Sequence, residues 1–263
     1  MKNNHTFAVC AYKESKYLEQ CIKSLLCQTI KSNIIITTST PNEYISETAS
    51  AYGIPLYVNP IHAGIGNDWN FALKKANTAY VTLAHQDDIY DPEFAEQTLN
   101  RLSPETLIAF TDYFEITDSG IQKPSRLIKA KRLALLFLNI TQHSELTKKL
   151  LLSFGTPICC PSVTFNKNKI GNFAFDSYLK CNLDWKAWLE MANKQGAFTY
   201  IQEKLVFHRI HLNSETNAQI LAHTRQKEDF YILSKIWPNI LVKLIQKCYK
   251  DYFKAYRVST NGQ

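Results

Sequence analysis

The chain alternates short apolar runs with amphipathic ones in a regular order. Thr6 to Ala11 is apolar and β-prone, and Lys16 to Gln28 places Tyr17, Cys21, Leu25 and Leu26 on one helical face. Asn33 to Thr38 reads as a second strand. Asn42 to Tyr52 predicts a helix opened by Pro41 and Asn42, and Leu56 to Asn59 a short strand. Gly66 to Asn77 predicts a helix with Trp69, Leu73 and Ala76 facing inward, ahead of a buried strand from Tyr80 to Ala84. This β-α-β-α-β-α-β order implies a parallel sheet covered by helices. Such sheets bind ligands at the carboxyl ends of their strands.

Beyond Glu93 the pattern predicts a helix to about Arg101, a strand from Thr106 to Thr111 and a turn at Asp118-Ser-Gly120. The character then changes. Residues 121 to 156 carry Lys123, Arg126, Lys129, Lys131 and Arg132, leading into Leu133-Ala-Leu-Leu-Phe-Leu138. That run is helical in pattern, and periodicity alone does not separate a core helix from one that contacts a membrane. The core assignment is favoured because apolar helices in globular chains are mostly buried. Pro157 to Phe165 reads as a strand, Asp184 to Lys194 as a helix and Phe198 to His208 as a strand. Near the end, Ile240 to Arg257 sets Lys243, Lys247, Lys250, Lys254 and Arg257 opposite Leu241, Leu244, Ile245, Cys248, Tyr252 and Tyr256. This amphipathic basic helix suits either packing on its own domain or a peripheral contact with an anionic membrane face.

Composition narrows the class. With 263 residues, 45% hydrophobic and 20% charged, the chain is long enough for one large domain with an appendage. Its seven cysteines are odd in number and lack metal-site spacing, which points to free thiols in a reducing compartment. The start, Met-Lys-Asn-Asn-His-Thr, leads directly into a strand without an apolar signal region. No run approaches the roughly 18 apolar residues of a membrane span. A cytoplasmic protein is expected, with a peripheral position at the inner face of the cell membrane if the C-terminal helix binds lipid. The formal charge of +7 favours an anionic partner without choosing among nucleotide phosphates, nucleic acid and lipid.

The strongest chemical signal is Tyr80-Val-Thr-Leu-Ala-His-Gln-Asp-Asp-Ile-Tyr-Asp-Pro-Glu93, in which a buried strand runs into Asp87 and Asp88. Two adjacent carboxylates there repel each other and lose solvation, a cost that a divalent cation offsets. Oxygen ligands of this kind suit Mg²⁺ or Mn²⁺. Equally, Asp87, Asp88 and Asp91 form a polar turn before a helix near Pro92, with Asp91 as N-cap.

Four stretches between about Thr6 and Thr216 together resemble the family 2 glycosyltransferases of GT-A fold. The first is Val9-Cys-Ala-Tyr-Lys-Glu14, running into Tyr17 to Thr29. By the resemblance, Tyr12 lies against the nucleotide base, Glu14 near the ribose and the Ala11 backbone at the base edge. The second, Gly64-Ile-Gly-Asn-Asp-Trp-Asn70, is similar to the segment whose Asn, here Asn70, faces the donor. The third, His85-Gln-Asp-Asp88, stands at the Asp-x-Asp metal motif, with Asp87 as direct ligand and Asp88 sharing the cation or orienting the sugar. His85 replaces the usual first Asp and is grouped with the donor-binding residues, where its imidazole could contact the ribose, ligate the metal or pack. The fourth is Cys181 to Glu190 with Val206-Phe-His-Arg-Ile-His211. It implies Asp184 as general base, Arg209 on phosphate oxygens and His211 completing the metal shell or contacting the diphosphate, with His208 the lesser member of the cluster. Asp184, at a helix N-terminus, is expected to be ionised with a lowered pKa. One departure concerns the donor. The second strand ends in Ile36-Thr-Thr-Ser-Thr-Pro41, where Thr38 can hydrogen-bond a base but supplies no carboxylate. UDP-sugars remain the default, and TDP-, GDP- and CDP-sugars are more open than usual.

The resemblance thus implies an α/β GT-A fold, with a Rossmann-like, mostly parallel sheet and a C-terminal helical extension. Residues 1–118 would form the nucleotide-sugar-binding half, 119–215 the acceptor-binding half and 216–263 the extension. The implied activity is inverting, metal-dependent hexosyl transfer to a saccharide or lipid-linked saccharide, in bacterial cell-surface or capsular and exopolysaccharide synthesis, with Mn²⁺ or Mg²⁺ as cofactor. A non-catalytic nucleotide-sugar or partner-binding module is the alternative. A nucleotidyltransferase would need a Gly-rich, basic activation loop near the N-terminus, which is not seen. Nucleic-acid binding is not expected, because the basic residues do not interleave with aromatics across a sheet.

Overall fold

The computed structural model describes residues 4–211, 214, 219, 222 and 224–247. The chain begins with β1 (His5–Ala11), α1 (Leu18–Leu26), β2 (Asn33–Thr38), α2 (Glu43–Ala51), β3 (Leu56–Val58), α3 (Ile65–Lys75) and β4 (Tyr80–His85). β3, β2, β1 and β4 lie side by side and parallel. Local chemistry sets several of the boundaries. The Asn42 side chain accepts the Ile45 N–H at 2.9 Å and opens α2, as its residue type predicts. Along β1, Phe7 and Val9 face a core layer with Leu18, Ile22, Tyr90 and Phe94, while Ala8 faces the opposite layer with Trp69, Phe165 and Trp188. That period of two buries both faces of the sheet.

The second half is woven into the same sheet. β4 is followed by the two-residue β5 (Ile89–Tyr90), α4 (Phe94–Arg101), β6 (Thr106–Thr117) and β7 (Gly120–Ile121). Then come α5 (Arg126–Leu135), α6 (Leu138–Thr141), α7 (Glu145–Leu152), β8 (Val163–Asn166), α8 (Lys167–Ile170), α9 (Leu183–Ala192), β9 (Ala197–Arg209) and α10 (Thr224–Leu233). β8 runs antiparallel between β4 and β6, and β9 pairs with β6 in parallel and with β5 antiparallel. The order is β3-β2-β1-β4-β8-β6-β9-β5, with β7 on β6. The stretches 1–118 and 119–215 therefore share one sheet.

Three elements differ from the sequence expectation. β6 continues past Thr111 to Thr117, because register shifts around Asp112 let it stay paired with β9, and the buried Asp112 is held by Arg132 at 2.7 Å. The segment expected as a strand from Pro157 forms one only over Val163–Asn166. Before it, Cys160–Ser162 makes a 3₁₀ turn around Pro161, which has no N–H for a ladder. The apolar run Leu133 to Leu138 divides: Leu135 and Leu138 are buried, whereas Leu133, Leu136 and Phe137 are exposed. Residues 239–247 are helical, and the remainder of the expected basic helix, from 248 on, lies outside the described residues.

The layers are joined by close contacts. Buried Lys148 donates to the carbonyls of Lys194 and Gly196 at 3.0 and 2.8 Å, closing the turn between α9 and β9. Gly66 on α3 faces the 176–177 backbone, and a Cβ there would stand 2.7 Å from the Asp176 carbonyl oxygen. Gly66→Ala is expected to lower stability by about 1–3 kcal/mol, seen as a lower urea midpoint at unchanged m-value.

Candidate active site

The site forms where β4 ends opposite the end of β9. Because Ile89 and Tyr90 pair with Phe207 and Val206, Asp88 arrives beside the backbone of Arg209. Its Oδ1 accepts the Arg209 N–H at 2.8 Å, and His208 Nδ1 lies 3.1 Å from the same oxygen. Asp88 is buried. Burial works against a charged His208 ring, yet the Asp88 carboxylate outweighs it and raises the His208 pKa.

Asp87 points to different partners. Ser15 Oγ donates to its Oδ1 at 2.7 Å, and His211 Nε2 stands 3.2 Å from its Oδ2. Burial tends to raise its pKa, but the contacts with His211 and Ser15 prevail and hold it below the ordinary range. Arg209 links the strand ends: its Nε donates to the Asp87 carbonyl at 2.9 Å, its second terminal nitrogen to Gln20 at 2.8 Å, and its guanidinium lies 4.2 Å from the Tyr17 ring centre. The two adjacent carboxylates thus avoid each other, each with its own donors.

The family resemblance implies a divalent cation, and the donor set can be tested for it. Asp87 Oδ2 and His211 Nε2 face each other at a separation natural for two ligands of one ion, and an oxygen with an imidazole nitrogen suits Mn²⁺. Asp88 is turned toward β9 and engaged there. Among the described residues no three His, Cys, Asp or Glu side chains converge as a ready metal cage. Asp87 with His211 therefore fits as a two-residue anchor that leaves positions for substrate oxygens.

At the β1 and β2 edge, Ala11 is buried opposite Thr38, and the Tyr12 ring is half-exposed beyond it. Gln86 fixes this turn, accepting the Tyr12 N–H at 3.0 Å and donating to the Tyr12 carbonyl at 2.9 Å. Glu14 is exposed, and the Thr38 hydroxyl accepts the Thr40 N–H at 3.0 Å. Asp68, in the first turn of α3, accepts from Ser39 at 2.8 Å and from Asn59 at 2.9 Å, bringing a carboxylate to an edge where β2 itself has none. His85 stacks on Trp69 with ring centres 5.2 Å apart, and burial lowers its pKa. Asn70 holds the loop before α9, its amide exchanging hydrogen bonds of 2.9 and 2.7 Å with the Phe175 backbone.

Asp184 lies in the first turn of α9. Burial raises the thiol pKa values of both Cys159 and Cys160, and the charges of Asp88 and Asp184 add to it. Asp184 Oδ1 accepts the Trp185 N–H at 2.7 Å. Its pKa is raised, not lowered as the helix N-terminus suggests, because burial outweighs that field and the cations of Arg225 and Lys131. Lys131 is itself lowered to about 8, chiefly by burial and then by Arg225, and donates to the Thr156 carbonyl at 2.8 Å. The start of α9 is gripped by Glu228 of α10, which accepts the N–H groups of Lys180, Cys181 and Asn182 at 2.7, 3.1 and 2.9 Å.

One acid at the strand ends faces an imidazole, and a second sits in the first turn of α9 within the field of two cations; comparison with known proteins gives the setting. The model of the family "Glycosyl transferase family 2" matches residues 6–169. The chain belongs to this family. It is 26% identical over 246 residues to an uncharacterized glycosyltransferase of Rickettsia typhi, covering 90% of this chain and 71% of that one. A Haemophilus influenzae protein also described as an uncharacterized glycosyltransferase is 23% identical over 250 residues, covering 89% and 76%. Among solved structures, Staphylococcus aureus TarS in complex with UDP-GlcNAc is similar at a TM-score of 0.64 and 13% identity, covering 92% of this chain and 70% of that one. Glucosyl-3-phosphoglycerate synthase of Mycobacterium tuberculosis, in complex with Mn²⁺, UDP and glucosyl-3-phosphoglycerate, is similar at 0.62 and 15%, covering 89% and 80%. These likenesses establish the GT-A fold for this family 2 chain.

Sequence reasoning missed Ser15, Gln20, Gln86 and Glu228 and set His208 aside. Only His208 carried a signal, its place in the Val206 to His211 element. The others are ordinary polar residues until the fold brings them across the sheet. Arg209→Lys is expected to destabilise by about 1–3 kcal/mol, because an ammonium cannot both stack on Tyr17 and reach the Asp87 carbonyl and Gln20. Thermal or urea unfolding of the variant checks this.

Proposed function

We propose that the chain is an inverting hexosyltransferase that takes a sugar from a nucleotide diphosphate sugar, with UDP-sugars favoured, and passes it to a saccharide hydroxyl in bacterial surface glycan assembly. The observation that carries this reading is the Asp87–His211 pair at the strand ends, 3.2 Å apart, together with Asp184 in the first turn of α9 within the field of Arg225 and Lys131. The complexes of the two similar structures, with UDP-GlcNAc and with Mn²⁺ and UDP, support the donor class.

In this mechanism the half-exposed Tyr12 ring stacks on the base, with the Ala11 backbone, Glu14 and Thr38 along the same edge. Asp68 adds a carboxylate there. Asn70 and His85 act on the donor from the α3 side, Asn70 through the Phe175 segment it holds. Asp87 and His211 would hold a divalent cation, Mn²⁺ or Mg²⁺, with Asp88 keeping the strand ends in register. When bound, the ion supplies positive charge for the leaving diphosphate. Arg209 fixes the Asp87 backbone and adds a cation beside it. Asp184 takes the proton from the acceptor hydroxyl. Its raised pKa makes it a stronger base than an exposed carboxylate.

Asp184→Asn is expected to retain donor binding and to lose about 10²–10⁴-fold in transfer rate. The same change should not weaken the fold. A raised folded-state pKa means that the ionised carboxyl disfavours the native state above its unfolded-state pKa, a penalty that fades as pH falls through the folded value. The variant should therefore be at least as stable as wild type at neutral pH, with the difference shrinking as pH falls toward about 4, the unfolded-state value, and gone below it; urea titrations across pH test this, and wild-type transfer rates in the variant would remove Asp184 as base.

Donor choice and metal dependence are tested together by nucleotide diphosphate release from UDP-, TDP-, GDP- and CDP-sugars with Mn²⁺, Mg²⁺ or EDTA. Metal-dependent release from one donor, lost in Asp87→Ala and His211→Ala, is the expected outcome. Calorimetric binding without release, even with saccharide acceptors present, would favour the non-catalytic module.

A further inference from the structure

The helices α5, α6 and α7 carry an apolar face that is left uncovered among the described residues. Their inner sides bury Ile128, Leu135, Leu138 and Leu152. On the outer side Ile140 is 90% exposed, Leu146 77%, Phe137 66%, Leu133 64% and Leu150 60%. α6 packs against both α5 and α7, so these side chains belong to one surface. It continues through Phe154, whose ring lies 5.1 Å from Trp237, to exposed Ile240 and Leu244 of the 239–247 helix. Isolated exposed leucines are ordinary, but a contiguous helical face of this kind marks an interaction site.

The charges around this face choose its partner. In residues 126 to 154 the outward cations are Arg126 and Lys129, with Lys149 paired to Glu145, the single acid there, while Lys131, Arg132 and Lys148 turn inward; residues 235 to 247 add Lys235, Lys243 and Lys247 and no acid. Arg126, Lys129, Lys235, Lys243 and Lys247 are exposed. Protein interfaces are depleted in lysine and match charge with charge, whereas apolar side chains flanked by lysines of one sign suit the headgroup boundary of an anionic bilayer. No helix among the described residues is long and apolar enough to cross a membrane.

We propose that α5–α7, extended by residues 239–247, form a docking face for an anionic phospholipid bilayer, with Phe137, Ile140, Leu146 and Leu150 entering the headgroup region. The face is tied to the cleft through α5, whose inner residues Lys131 and Arg132 reach the surroundings of Asp184 and the buried Asp112. Docking would bring the acceptor side of the cleft to the membrane surface. An acceptor saccharide carried on a lipid is then the substrate class that this face selects, a point that rests on the proposed transfer reaction, whereas the docking itself does not.

Flotation of the full chain, without donor, on phosphatidylcholine vesicles with and without phosphatidylglycerol tests the docking. Capture is expected on the anionic vesicles only, weakening with added salt. In the quadruple variant Phe137→Glu, Ile140→Glu, Leu146→Glu, Leu150→Glu the captured fraction should fall about tenfold or more, and in Lys129→Gln with Lys243→Gln about threefold or more. Unchanged melting curves confirm that both variants fold, because every substituted side chain is exposed. Equal capture of wild type and the quadruple variant, or no capture on anionic vesicles, overturns the proposal. So does a wild-type dimer in sedimentation that the quadruple variant dissolves while vesicles capture neither, which would assign the face to a second copy. The donor panel reports on the transfer reaction separately, so either idea can fail alone.

Discussion

The carboxylate of Asp88 receiving the backbone N–H of Arg209 is the contact on which the rest of the site depends. It joins residues 121 positions apart in the chain and fixes the end of β9 against the end of β4. Only with that edge in register does His208 reach Asp88, Arg209 reach the Asp87 carbonyl and His211 reach the Asp87 carboxylate. A buried carboxylate needs such donors, because without them its desolvation penalty stands uncompensated. The hydrogen bond thus does two things at once: it neutralises the cost of burying Asp88, and it leaves Asp87 as the acid free to face His211.

The second centre is organised on a different principle. Asp184 has the Trp185 N–H as its hydrogen-bond donor and lies in the field of Arg225 and Lys131, yet burial dominates and raises its pKa. Its place is secured by groups that do not touch it. Glu228 gathers three backbone N–H groups just before α9, and Asn182 donates to Asp229 at 2.8 Å. α10, outside the residues matched by the family model, therefore holds the candidate base in position, and α5 brings Lys131 to it from the other side. The helices around Asp184 also carry the exposed apolar face, so the candidate base and the proposed docking surface share one set of helices.

Much of this was legible from local pattern. β2 spans the expected Asn33–Thr38, Asn42 caps α2, and the end of β4 presents Asp87 and Asp88. What local pattern missed has common physical causes. β5 is two residues long and sits within an acidic turn, so it has no period of its own, yet its pairing sets the register of β9. Asp112 reads as the end of a strand, but a partner from α5 allows the strand to carry it inside. The run Leu133 to Leu138 is uniformly apolar, and nothing in uniformity tells which residues turn outward.

Sequence alone determined most of the order of strands and helices and the family, and it named the two candidate acids, because period, caps and short motifs are properties of neighbouring residues. Tertiary structure decided which of two adjacent aspartates is buried and which faces His211, that burial overrides the helix field at Asp184, and which half of an apolar run meets the core. Each of those depends on desolvation and on partners delivered from distant strands, and neither quantity exists until the chain has folded.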